Sequence, residues 1–250
     1  MTDHVLVERP EAHPGVQVIR FNRPEKKNAI TREMYAKMTT ALTVAQSDPA
    51  IRVTAFLGSE GCFSAGNDMS DFLAVAMGGS MGREVLDFLR ALARAAKPVV
   101  SGVDGLAIGI GTTIHLHCDL TVASARSLFR TPFVDLALVP EAASSLIAPR
   151  ILGHQRAFAL LAAGEPLEAA EALTAGLIWK IVDAESVEET TLSLAARLAA
   201  KPPEALRIAR DLVRGNRKDV LARIDEEAEH FAAQLKSAEA RAAFEAFMRR

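Results

Sequence analysis

Short apolar runs and longer stretches with helical periodicity alternate along the first two thirds of the chain. Strands are predicted at five apolar runs: residues 5–7, 16–21, 52–57, 98–103 and 120–123. Between them, residues 31–46 and 83–96 predict helices, and Thr31 is a suitable N-cap for the first. Strands that alternate with helices are typical of an α/β fold.

The last third follows a different pattern, because it is rich in Ala, Leu, Glu and Arg. These residue types favour helices. Helices are predicted at five segments: residues 157–163, 167–175, 187–200, 203–213 and 220–248. A single short strand is predicted at residues 177–182. We place a boundary near Ser186, between a core at residues 1–185 and a helical segment at residues 186–250.

Composition and charge exclude several classes of protein. The chain has 250 residues, of which 50% are hydrophobic, and a net charge of -2. A nucleic-acid partner is not expected, because the phosphate backbone demands a basic surface. No apolar run reaches the roughly 18 residues of a membrane span or follows a basic start as in a signal peptide. With only Cys62 and Cys118 available for disulfides, we expect a cytoplasmic protein without a membrane partner.

Two glycine-containing segments are suited to presenting backbone amides to a ligand. Residues 63–68, with the sequence FSAGND, form a small-residue bend that backbone or ligand can approach closely. A plain surface turn is the alternative. Residues 104–113, with the sequence DGLAIGIGTT, end a strand and open a helix, whose first amides suit an anionic oxygen or a phosphate. Tight packing of the helix on the strand explains these glycines equally well.

Glu141 lies in an otherwise uncharged run at residues 136–148. Burial in apolar surroundings would raise the pKa of its carboxyl group and make it a better general base near neutral pH. The alternative is a residue at a helix N-terminus that stabilises the helix dipole. No metal site is expected, because His115 and His117 lack ligand partners at a suitable spacing.

Seven motifs, in this order, make the chain resemble the crotonase (enoyl-CoA hydratase/isomerase) superfamily over residues 4–249. They are NRP with NA at 22–24 and 28–29, FSAGND at 63–68, the glycine segment at 103–111, CDLTVAS at 118–124, Phe129 with 131–132 and Pro140, the helix and strand at 169–177, and 246–247. The resemblance implies a spiral of β-β-α turns, followed by a C-terminal helical segment that forms a homotrimer or hexamer. Periodic apolar residues there, such as Leu212, Val213, Val220, Leu221 and Ile224, would then need a partner surface.

The resemblance also implies an acyl-CoA substrate. The thioester oxygen would lie between the backbone N–H groups of Asn67 and Ile110, which would stabilise an enolate. Coenzyme A would belong to the substrate, so no separate cofactor is expected. Substrate and CoA contacts are expected from Glu25, Lys26, Lys27, Ala29, Ala65, Gly66, Asp68, Met69, Leu106, Gly109, Phe133, Leu138 and Phe247. The adjacent Lys26 and Lys27 would meet the CoA phosphates.

The side chains near the thioester favour one reaction within the family. Thr113 and Phe133 stand where the family's hydratases carry the two glutamates that activate water. Glu141 occupies the position of the base in the delta-3, delta-2 enoyl-CoA isomerases. A pocket of Phe133, Leu136 and Leu138 would exclude water and favour isomerisation. We therefore expect a double-bond shift from 3-enoyl-CoA to 2-enoyl-CoA through a dienolate.

Three alternatives remain open. The first is an enoyl-CoA hydratase that uses Glu141 alone. The second is an acyl-CoA hydrolase or dehalogenase that uses Asp135. The third is a non-catalytic CoA-binding protein, against which Glu141 argues, because a carboxylate in apolar surroundings costs stability unless it is paired or used.

Overall fold

The structure, a computed structural model, describes residues 3–76 and 82–248, which contain ten strands, eleven α-helices and four short 3-10 helices. The strands are β1 (Val5–Glu8), β2 (Val16–Phe21), β3 (Val53–Leu57), β4 (Cys62–Ser64), β5 (Val99–Val103), β6 (Leu106–Ile108), β7 (Leu120–Ser124), β8 (Leu128–Arg130), β9 (Leu167–Glu168) and β10 (Lys180–Val182). The helices are α1 (Arg32–Ser47), α2 (Met69–Ala76), α3 (Glu84–Arg94), α4 (Ile110–Thr113), α5 (Ser144–Leu152), α6 (His154–Leu161), α7 (Ala169–Ala175), α8 (Val187–Ala199), α9 (Pro203–Arg214), α10 (Arg217–Leu235) and α11 (Ala238–Met248). The side chains of residues 74–76, 247 and 248 lie outside this description.

The strands form two sheets. The larger has the order β1-β2-β3-β5-β7-β10, and the smaller has the order β4-β6-β8-β9. All neighbouring strands are parallel except the pairs β1–β2 and β8–β9. Successive strands β3 and β4, β5 and β6, and β7 and β8 lie one in each sheet, so the chain winds as a spiral. The α/β fold with β-β-α turns and C-terminal helices is thereby confirmed.

The two faces of the larger sheet are buried by different helices. Helix α8 covers one face, where Leu192 and Ala195 pack on residues that include Val18 and Val100. The other face belongs to a larger apolar cluster that also includes residues of α1, α3 and the smaller sheet. Within it, the rings of Phe21 and Phe63 meet edge to face with centroids 5.1 Å apart. The part of the core under α8 thus draws on both sides of the predicted boundary near Ser186, which itself stays a prediction.

Several elements differ from those predicted from the sequence. The predicted helix at residues 220–248 is two helices, because Ser237 accepts a hydrogen bond from the amide of Ala240 at 3.0 Å and so caps α11. The last third contains two short strands rather than one, since β9 pairs with β8. Strands of two or three residues are too short to show alternation. Gly78, Gly79, Ser80 and Gly82 also predict a connection in the chain, and of these residues only Gly82 lies within the described ranges.

The C-terminal helices leave part of their apolar surface uncovered. On α9, Leu212 and Val213 are 79% and 88% exposed, respectively. Ile224 needs no partner surface, contrary to the prediction, because it is only 1% exposed within the chain. The homotrimer or hexamer stays a prediction. None of the helices in the described ranges combines the length and hydropathy that crossing a membrane requires.

Candidate active site

Two glycine loops meet where β4 and β6 end. Gly66 and Gly109 have positive φ angles of 89° and 57°, which favour glycine. A Cβ atom on Gly66 would lie 2.8 Å from the Ile108 carbonyl oxygen, and one on Gly109 would lie 3.9 Å from the Gly66 Cα. The loops are therefore in contact, and each glycine is followed directly by a residue predicted to supply an amide, Asn67 or Ile110.

The amides of Asn67 and Ile110 are both free of protein partners in the described ranges. Ile30 bonds to the two neighbours of Asn67, donating to Gly66 O at 2.8 Å and accepting from Asp68 N at 2.9 Å. This parallel bridge leaves the Asn67 N–H unused. Ile110 is the first residue of α4, where helix amides have no internal acceptor. The pair can therefore receive one anionic oxygen.

Glu141 is buried, with 6% of its surface exposed, and its Oε1 accepts a 2.7 Å hydrogen bond from the Thr113 hydroxyl. Burial raises the pKa of Glu141 to about 7, against the opposing effect of the Thr113 hydrogen bond, and the nearby Glu227 carboxylate adds to the rise. Thr113 thus orients the carboxyl group, a role that its position in the sequence did not reveal. A carboxyl group with this pKa can both accept and return a proton near neutral pH.

A cavity of about 30 Å³ lies between these groups and the helices α2, α3 and α10. Among the described residues, its lining consists of Asn67 and Glu141 with eight apolar side chains: Phe72, Val85, Leu86, Leu89, Ala142, Ile224, Ala228 and Phe231. The lining does not include Phe133, Leu136 and Leu138, the residues predicted to form the apolar pocket. Phe133 and Leu138 are 6% and 3% exposed in the core, and Leu136 packs against it. The spacing of the three α10 residues at i, i+4 and i+7 is the only sequence signal for this wall.

Tyr35 stabilises the loop that contains Asn67. Its side chain is 1% exposed, and its hydroxyl donates a 2.5 Å hydrogen bond to the Asn67 Oδ1. Burial and the nearby carboxylates of Glu141 and Asp71 raise the pKa of Tyr35 well above its usual range. Tyr35 therefore stays protonated and fixes the Asn67 side chain. It was not predicted from the sequence, where it resembles any other apolar-face residue of α1.

The two loops predicted to hold CoA lie side by side. The Lys27 carbonyl accepts a 2.8 Å hydrogen bond from the amide of Ala65, and Lys27 and Asn28 both have positive φ angles, 47° and 54°. The buried Asn28 side chain holds this conformation by bonding to the backbone of residues 23, 62 and 63 at 2.8, 3.0 and 3.2 Å. Glu25, Lys26 and Lys27 are exposed beside it.

The other predicted contact residues have mixed surroundings. Ala29, Ala65, Met69, Leu106 and Gly109 are partly buried near the glycine loops, and Gly66 is buried between them. Asp68 is already paired, because its carboxylate lies 2.5 Å from Arg23. Burial opposes ionisation of the Asp68 carboxyl group, but hydrogen bonds from Ser70 and Arg23 hold the pKa of Asp68 below its usual range. The side chain of Phe247 lies outside the described residues.

Asp135 and Asp71 are the other carboxylates considered for chemistry. Asp135 forms an exposed ion pair with Arg130 at 3.0 Å and is not among the residues that line the cavity. Asp71 accepts a 3.3 Å hydrogen bond from the backbone of Arg32 and lines a second pocket, which shares Asn67 and two apolar residues with the cavity. Within the described ranges, no group of three or more His, Cys, Asp or Glu side chains is arranged to hold a metal ion.

Comparisons with known proteins agree on one family. The profile of the family described as "Enoyl-CoA hydratase/isomerase" matches residues 11–250. Rat "Enoyl-CoA delta isomerase 2" is 36% identical over 218 residues, 85% of this chain and 56% of the relative, so the chain spans about half of that protein. The "1,2-epoxyphenylacetyl-CoA isomerase" of Escherichia coli K12 is 31% identical over 94% of this chain and 92% of its own length. The solved structure of Pseudomonas aeruginosa OdaA superposes with a TM-score of 0.93 at 38% identity, with full coverage of both chains.

Proposed function

The chain belongs to the enoyl-CoA hydratase/isomerase family, and we propose that it shifts the double bond of 3-enoyl-CoA to 2-enoyl-CoA with Glu141 as its single base. The observation that carries the proposal is the position of Glu141. It is the sole carboxylate among the described residues that line the apolar cavity, which it shares with Asn67. A 1,3-proton shift needs one group that takes a proton and returns it, whereas hydration also needs a water held and activated.

The reaction proceeds in two proton-transfer steps. The Glu141 carboxylate removes a proton from C2 of the acyl chain, and the electron pair moves onto the thioester oxygen, giving a dienolate. The amides of Asn67 and Ile110 donate hydrogen bonds to this oxygen, where the charge develops. The protonated Glu141 then delivers the proton to C4, the double bond forms between C2 and C3, and the carboxylate is regenerated.

The cavity favours this reaction over water addition. Its wall on the α10 side consists of Ile224, Ala228 and Phe231, and the Phe231 ring stands 5.7 Å from that of Phe72, centroid to centroid. Apolar walls exclude water and strengthen the electrostatic interactions inside. The name of the rat relative supports the same reaction class, although the chain spans only 56% of that relative.

The acyl-CoA is proposed to enter along the two adjacent loops at residues 25–29 and 65–69. Lys26 and Lys27 are exposed at the outer end of the first loop and supply positive charge for the CoA phosphates. The thioester would then reach the glycine loops at Gly66 and Gly109. A homotrimer or hexamer is proposed on the exposed apolar side chains of α9.

We expect the protein to isomerise 3-enoyl-CoA with a higher kcat/KM than it hydrates 2-enoyl-CoA. The hydratase is the second candidate, because Glu141 is able to activate a water weakly, but the described residues of the lining include no second acid for it. Both values are to be measured on acyl chains of equal length. A ratio in favour of hydration would overturn the assignment and direct the search for a second acid to Asp71 and Asp135.

A further inference from the structure

The chain turns sharply directly after Glu141. Ala142 and Ala143 both adopt left-handed conformations, with φ angles of 63° and 54°. This region is disfavoured for residues with a Cβ atom, and alanine has no side-chain hydrogen bond that stabilises it. Two such residues in succession persist only when the surrounding structure holds them.

The buried carboxylate of Glu227 on α10 provides one hold. It is 6% exposed, and its Oε2 accepts from the amide of Ala143 at 2.6 Å. Its Oε1 accepts from the amide of Ser145 at 3.0 Å and from the Ser145 hydroxyl at 2.5 Å. The hydroxyl in turn accepts from Arg223 at 3.0 Å, so its own proton is available for Glu227. The three contacts from Ala143 and Ser145 all donate to Glu227, as an ionised, acceptor-only carboxylate requires. They oppose the effect of burial, which raises the pKa of Glu227 above its usual range.

His117 provides a second hold on the turn. Its Nε2 lies 2.7 Å from the Ala142 carbonyl oxygen. Since a carbonyl oxygen only accepts, this nitrogen carries the hydrogen. Burial lowers the pKa of His117 to about 4, so the ring is neutral near pH 7. The turn is therefore held by a donor at the Ala142 carbonyl and by a carboxylate at the Ala143 amide.

We propose that Glu227 is a positioning residue for Glu141. Glu227 holds the turn through Ala142 and Ala143 so that the Glu141 carboxyl group faces the cavity. The inference rests on the proposed function. Glu227 does not touch the substrate itself, but Ile224, Ala228 and Phe231 of the same helix line the cavity around it. Helix α10 thus contributes to the wall of the cavity and also orients the carboxyl group of Glu141.

Glu227 also acts on the protonation of Glu141. Its like charge contributes to the raised pKa of Glu141, after burial and against the hydrogen bond from Thr113. Among the described residues, the other ionisable groups near this pair are Tyr35 on α1, neutral His117 and Arg223 on α10. Removing the charge of Glu227 is therefore expected to shift the acidic limb of kcat/KM to lower pH.

The test compares Glu227→Gln and Ser145→Ala with the control Glu229→Gln, which changes an exposed carboxylate on the same helix. Glu227→Gln points an amide group at N–H donors, so kcat is expected to fall by about tenfold or more, the scale of a lost hydrogen bond to a charged group. KM should stay within about twofold because the substrate contacts remain. Ser145→Ala keeps the charge, so kcat should fall less and the acidic limb should not move.

Wild-type kcat and an unmoved acidic limb in Glu227→Gln would overturn the inference while leaving the proposed function intact. If that variant does not fold, Ser145→Ala decides, and an unchanged kcat overturns the inference. If the wild-type protein does not isomerise 3-enoyl-CoA, the proposed function fails, but the effect of Glu227 on the pKa of Glu141 can still be measured. A ¹³C NMR titration, with the Glu141 carboxyl assigned through Glu141→Gln, should then show its pKa lowered in Glu227→Gln, and an equal pKa would contradict the inference.

Discussion

Glu141→Gln is expected to lower kcat for isomerisation of 3-enoyl-CoA by about 10²–10⁴-fold, the usual contribution of a general base. Glutamine has the same shape and can still accept the hydrogen bond from Thr113, which reaches Oε1 at 2.7 Å. KM and acyl-CoA affinity should therefore change little. Steady-state kinetics and calorimetric titration measure the two quantities separately. A variant that keeps more than a tenth of wild-type turnover would show that Glu141 is not the base.

The pH profile of the wild-type protein gives an independent check on Glu141. Burial raises its pKa to about 7, and the base must be ionised to accept a proton. The rate of isomerisation should therefore fall as the pH drops through about 7 rather than near 4.5, the ordinary value. The limb should be absent from the residual activity of Glu141→Gln.

The same variant is expected to be more stable than the wild type at pH 8. For Glu141 the pKa in the folded protein lies above that in the unfolded chain, so the stability it confers is present at low pH and is lost as the pH rises from 4.5 through about 7. Ionisation above this window costs about 3 kcal/mol in the folded state. Denaturant unfolding of both proteins at pH 5 and pH 8 measures the difference. Equal stability of Glu141→Gln and the wild type at pH 8 would contradict a raised pKa of Glu141 in the folded protein.

Ile110→Pro is expected to lower kcat by about 10²–10³-fold, because proline has no N–H and a lost oxyanion donor has costs of this size. The fold should tolerate the change. Ile110 is the first residue of α4, a position where proline is favoured, and the preceding residue is Gly109. The Ile110 amide has no protein acceptor in the described ranges, so its removal breaks no internal hydrogen bond.

Ile110→Ala is the matched control for the amide. Ile110 is 1% exposed, so both substitutions remove buried side-chain volume, but alanine keeps the N–H. Loss of stability in both variants with loss of kcat in the proline variant alone would assign the effect to the amide. Equal kcat in the two variants would remove Ile110 from the oxyanion site.

The features predicted from the sequence are those that local chemistry determines. Glycines in two short segments indicated exposed amides, and one carboxylate in an apolar run indicated a buried acid. The structure brings these segments together, since Gly66 packs on the loop that contains Gly109 and Glu141 shares a cavity with Asn67. Alternation of strands and helices likewise predicted the α/β fold, because each element carries its own periodicity.

The features that sequence reasoning missed depend on contacts between distant segments. Residues of α2, α3 and α10 together form the apolar wall of the cavity. The apolar residues of three amphipathic helices do not by themselves reveal which helix faces enclose a cavity. Glu227 reads as part of a solvated charged stretch, yet it is buried against a turn more than 80 residues earlier in the chain. Tyr35 meets Asn67 across 32 positions. Such pairings follow from tertiary packing and not from local pattern.

The most direct test of a single-base proton shift follows the proton itself. A 3-enoyl-CoA that carries deuterium at C2 is converted in ordinary water, and NMR of the product locates the label. If Glu141 alone moves the proton within a cavity that excludes water, part of the deuterium removed from C2 should appear at C4. Turnover that leaves no deuterium at C4 would contradict the account, because the acid at C4 would then be a group other than the base at C2 or one in free exchange with solvent.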